Sequence, residues 1–76
     1  MKVSEVKEKL TTSETIEIEM MRNPAELSEW TIWIRDSDGK SFLLTNEFDV
    51  VITTWDANQA LLLLRDLGAK QATIML

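Results

Sequence analysis

Two stretches of this chain alternate apolar and polar residues with a period of two, and no other feature restricts the fold as much. From Glu14 to Arg22, Ile16, Ile18 and Met20 fall on one side, with Thr15, Glu17, Glu19 and Met21 on the other. From Glu29 to Arg35, Trp30, Ile32 and Ile34 oppose Thr31, Trp33 and Arg35. Side chains of an extended chain point alternately to its two faces, so each stretch reads as a strand with one face on a core. Asp36-Ser37-Asp38-Gly39 follows the second, with Gly39 suited to left-handed backbone, and Lys40 to Thr45 reads as the returning strand of a hairpin.

The remaining segments fit around these strands. Val3, Val6 and Leu10 share one face of a short helix over residues 3–10, with Ser4 placed to cap it. Asn23-Pro24-Ala25-Glu26 breaks the first strand and has the order of a cap, a first-turn proline and a capping-box glutamate, which admits one helical turn through about Ser28. Val50 to Thr53 is β-branched enough for a short fourth strand. A second helix runs from Ala57 to Leu67: Asp56 and Gln59 have capping-box spacing, Trp55 is placed to staple against Ala60, and Gly68 stands where a terminating glycine belongs. Gln71 to Leu76 reads as a final strand. The expected fold is α+β: one domain over residues 1–76, with a single small, mostly antiparallel sheet of four or five strands. Two helices cover one face of it, in the order α-β-β-β-(β)-α-β. A strand, helix and strand at the end would make a right-handed crossover if the two strands are parallel.

Chemistry is restricted by what the chain lacks. It has no cysteine, histidine or tyrosine, so there is no disulfide, no thiolate or imidazole metal site, and no histidine to activate a serine or threonine. Lys40 and Ser41 are adjacent on a strand and diverge. Glycine occurs only at positions 39 and 68, which rules out phosphate-binding loops of the Walker or dinucleotide kind. Asp36-Ser37-Asp38-Gly39-Lys40 resembles part of a calcium loop, but with Gly39 at the sixth position the end ligands become Ile34 and Thr45; hairpin chemistry explains it better. Glu14, Glu17 and Glu19 could pair as carboxylates, yet a cross-strand partner such as Arg35 fits them better. The expectation is a non-catalytic protein with no catalytic, cofactor-binding or metal-binding residues.

Charge and apolar surplus point to the class of partner. The net charge is −5, and Lys and Arg form no cluster, which argues against direct nucleic-acid binding and against an anionic membrane surface. The longest apolar run, Ala60 to Leu64, is far too short to span a membrane, and the first residues lack the apolar core of a signal peptide. With no cysteine, a reducing cytoplasm is the natural compartment.

Trp33 lies opposite the main apolar face of its strand, and Met21 and Leu43 fall on the same minority side. In the second helix Ala57, Ala60, Leu61, Leu64 and Leu67 form an inward stripe, and Leu63 lies at its edge. The four leucines from Leu61 to Leu64 sweep about 300° of the axis, which leaves Leu62 nearly opposite Leu64. Trp33, Met21, Leu43, Leu62 and Trp55 are therefore the candidate contact residues of a protein-interaction module, with self-association as its first use. The competing expectation is an acidic mimic of nucleic acid, as from a phage or mobile element, occupying a basic protein through Glu14, Glu17, Glu19, Glu26 and Glu29. A small apolar or sugar ligand held by Trp33 and Trp55 is a third.

Overall fold

A computed structural model describes residues 1–76. Its elements are α1 (Val3–Thr11), β1 (Glu17–Asn23), β2 (Glu26–Arg35), β3 (Ser41–Leu43), β4 (Thr53–Thr54), α2 (Ala57–Leu67) and β5 (Thr73–Met75). The α+β order matches the one read from the sequence. The sheet runs β3-β2-β1-β5, with β4 also on β2. It is mixed: β2 is antiparallel to β1, β3 and β4, while β5 is parallel to β1.

Because β1 fills one side of β2 along its length, β3 and β4 lie end to end on the other. β3 pairs with Trp33–Arg35 and β4 with Trp30 and Thr31. Between them the chain steps out and back. The Leu44 N–H donates to Ile32 O at 2.8 Å, and the Ile52 N–H donates to Leu44 O at 3.1 Å. Met1 to Val3 lie along the outside of this step, with Lys2 bridged to Thr45.

The core lies between the sheet and both helices. Ile18, Met20, Trp30, Ile32 and Ile34 supply the sheet side; Val6, Ala60, Leu64 and Leu67 supply the helix side, and Leu44 closes it. Arg22 shares this face at one end. Its guanidinium carbon stands 4.7 Å from the centroid of Trp30, and its Nη1 donates to Leu27 O at 2.9 Å. The cation thereby covers the ring and holds the bulge of residues 27–29, where the β1–β2 register shifts.

Several local expectations change. No helical turn forms after Asn23: β1 continues to that residue and pairs it with Glu26, and the Asn23 carboxamide oxygen accepts from the Ala25 N–H at 3.0 Å. A strand ladder uses more backbone groups than one isolated turn, so the hairpin outcompetes the cap signal. Ser4 lies inside α1, whose N-cap position is Lys2. Trp55 does not staple; it is 75% exposed. Leu61, assigned to the inward stripe, is 41% exposed. Asp56 does cap α2, accepting from the Asn58 N–H at 2.9 Å, and Gly68 takes left-handed backbone at φ 95°.

Candidate interaction surfaces

No helix covers the second face of the sheet, and the ladder registers arrange that face in rows. Leu43, Trp33, Glu19 and Thr73 form one row across four strands. Thr53, Thr31, Met21 and Met75 form the next. Ser41, Arg35 and Glu17 form a third, beyond Trp33. Arg35 reaches both neighbouring carboxylates, Nη1 to Glu17 at 3.6 Å and Nη2 to Glu19 at 3.5 Å. The cross-strand partner expected for these glutamates is thus present. The apolar residues Leu43, Trp33, Met21 and Met75 form a diagonal from one edge to the other.

Trp33 is half-buried in this diagonal, and its Nε1–H is enclosed without an acceptor. Leaving a buried donor unpaired costs about 1–3 kcal/mol. Thr31 is the buried polar residue of the same face, and it does find a partner: its hydroxyl donates to Met21 O at 3.0 Å.

The candidates from sequence therefore separate. Trp33, Met21 and Leu43 come together on the outer face. Leu62, 57% exposed on α2, belongs to the helix layer, and Trp55 stands in the bend between β4 and α2. Two apolar groups escaped the sequence reading. One is β5, where Ile74 and Met75 are 45% and 48% exposed. The other is the turn inside the β3–β4 step, which displays Phe48 at 86% exposure. That turn is well tied. The Asn46 carboxamide oxygen accepts from the N–H groups of Phe48 (2.8 Å) and Val50 (3.1 Å), and Asp49 takes left-handed backbone at φ 63°. The asparagine two residues before an aromatic was the available signal.

Glu47, in the same turn, caps α1 from a distance. Its carboxylate accepts from the Ser4 hydroxyl at 2.6 Å and from the Ser4 N–H at 3.2 Å. Those two bonds, the hydroxyl's first, hold its carboxyl below the usual range. Lys9 is shifted up by its hydrogen bond and ion pair with Glu14 at 3.0 Å.

The carboxylates proposed as phosphate mimics are mostly occupied. Glu14 is paired with Lys9, Glu17 and Glu19 share Arg35, and Glu26 accepts from the Ser28 hydroxyl at 2.8 Å. The aspartate that opens the calcium-like loop is spent on the turn: Asp36 Oδ1 accepts from the N–H groups of Asp38 and Lys40, each at 2.9 Å. No group of three or more acidic residues is placed to hold a metal ion. A cleft of about 360 Å³, open to solvent, is lined by Glu5, Glu8, Lys9, Thr12 and Glu14; neither Trp33 nor Trp55 lines it or the four other main clefts. No helix is long and apolar enough to cross a membrane. Comparison with protein-family models, with curated proteins and with solved structures finds no match to this chain.

Proposed function

We propose that this protein is a non-catalytic module that binds another protein chain through apolar surface, its first candidate partner being a second copy of itself. One observation carries the reading: eleven large apolar side chains are open to solvent while only ten apolar residues form the core. A scatter of exposed leucines is ordinary, but here the exposed groups cluster on named surfaces. Eight of the eleven lie along β5, at the tied turn around Phe48, and around Leu61 and Leu62 on α2. The uncovered outer face adds Trp33, half-buried among its neighbours.

Carboxylate placement supports this reading over the mimic, because a mimic needs a free ladder of negative charge and four of the five candidate glutamates are engaged locally. The test is light scattering coupled to size exclusion over a hundredfold range of concentration, followed by affinity capture at low and high salt. A mass that rises with concentration, or capture of a protein that survives high salt, is the expected result. A monomer whose only captured partners are basic proteins released by salt would reverse the choice.

A further inference from the structure

We infer that β5 is a self-pairing edge: two copies join β5 to β5′ antiparallel across a two-fold axis, which makes one continuous sheet of the two five-stranded ones. This deepens the interaction reading and rests on it.

β5 is bonded on one side only, to β1 through Glu19↔Thr73, Met20↔Ile74 and Met21↔Met75. The opposite flank of the sheet is better closed. There Met1 to Val3 run beside Leu43 and Thr45, the Met1 ammonium donates to Leu43 O at 2.7 Å, and β4 is only two residues long. A strand with a free row of N–H and C=O groups is a template for another strand unless charge, proline or a bulge blocks it. From Gln71 to Leu76 the chain has none of these blocks.

Apolar groups flank the edge on both faces. On the helix face, Ala72 lines a cleft with Leu61 and Ala69, and Ile74 follows two residues later on the same side of the strand. On the outer face Met75 stands beside Met21. An added strand would cover Ile74 and Leu61 with one set of alternate side chains and Met75 with the other. A second copy offers Ile74′ and Met75′ in those places.

Charge favours a second copy as the occupant. All thirteen acidic residues lie within residues 1–66, and the last ten carry Lys70 alone. Two bodies of net charge −5 repel, so they meet best where acidic side chains are fewest; β5 itself carries none, and the nearest, Glu17 and Glu19 on β1, are both paired with Arg35. Antiparallel pairing of identical strands closes on itself and stops at two copies. The ladder is three residues long, well short of the roughly 800 Å² per partner of a standard interface, which puts the dimer in the weak, concentration-dependent class.

The chain has no native cysteine, so single cysteines report proximity cleanly. Thr73→Cys, Ile74→Cys and Met75→Cys are each oxidised in the full-length chain, with Thr53→Cys on the opposite edge as control. The expected result is a disulfide dimer from at least one β5 position, strongest at Ile74 if it sits on the axis, and none from Thr53→Cys. Ile74→Lys and Met75→Lys, checked for a native circular-dichroism spectrum, should each weaken self-association on the order of tenfold or more, as a charge placed on a pairing edge does. No cross-link from any of the three β5 positions overturns the inference. So does a dimer lost in Trp33→Lys but kept in Ile74→Lys, although that outcome leaves the interaction reading standing. A monomer at every concentration that still captures another protein in high salt removes the β5 dimer alone; a monomer that captures nothing removes both.

Discussion

Trp33 combines a large apolar ring on an uncovered sheet face with a buried N–H that has no acceptor. The two effects act in opposite directions, and a substitution can separate them. Trp33→Phe keeps a ring between Leu43 and Glu19 and deletes the unpaired donor. It is expected to leave stability unchanged or to raise it by about 1 kcal/mol, read from the urea midpoint at constant slope. A loss above about 2 kcal/mol would mean that the larger indole fills space whose apolar contacts outweigh the orphaned N–H. Charge at this position is felt at once, because Glu19 is directly opposite. Trp33→Glu would set like charges across the strands and leave Arg35 facing three carboxylates, whereas Trp33→Lys meets an opposite charge. That is why Trp33→Lys is the cleaner probe of the outer face. The position was legible in the sequence, since Trp33 breaks the alternation of its own strand. Its unpaired nitrogen was not, because that depends on how neighbours on other strands close over it.

At the scale of elements, the segments read correctly are those whose own residues carry the signal. β1 and β2 were legible because one face of each carries the buried apolar residues, and α2 because Asp56 and Gly68 mark both its ends. Gly68→Ala tests the second mark: an added Cβ would meet nothing within 4 Å, so the cost is conformational alone, about 1 kcal/mol in thermal or urea unfolding. The β3–β4 step was not legible, since nothing local says that two strands will share one flank of β2. β5 was read as a strand, but its weak hold was hidden: all three of its residues are exposed, and burial is decided by what α2 fails to cover.

The link between Glu47 and α1 is another long-range feature. A carboxyl held below its ordinary 4.5 contributes stability that is complete above that value and is lost as pH falls through the lower folded value. Glu47→Gln should therefore flatten the acid side of the stability–pH curve below about pH 4.5 and, at neutral pH, speed amide exchange at the start of α1. An unchanged acid limb would show that the Ser4 bonds do not persist in solution.

For the whole molecule, the sign of the salt effect separates the two classes of function. The body measures 33 × 25 × 23 Å and carries −5. At about 0.01 M salt the screening length is roughly 30 Å, so two copies repel across their full width; at about 0.15 M it falls to roughly 8 Å, and only charges at the contact are felt. Pairing along β5, whose own residues carry no charged side chain, gains no attraction between opposite charges that salt could weaken. Self-association should therefore strengthen as salt rises over this range, most visibly as a lower apparent Kd in sedimentation velocity. An acidic mimic behaves in the opposite sense, because its affinity comes from the attraction that salt screens. Self-association that weakens with salt would mean that Lys70 or Arg65 of one copy meets carboxylates of the other. The interface would then lie off the β5 edge, on a surface where the two signs of charge adjoin.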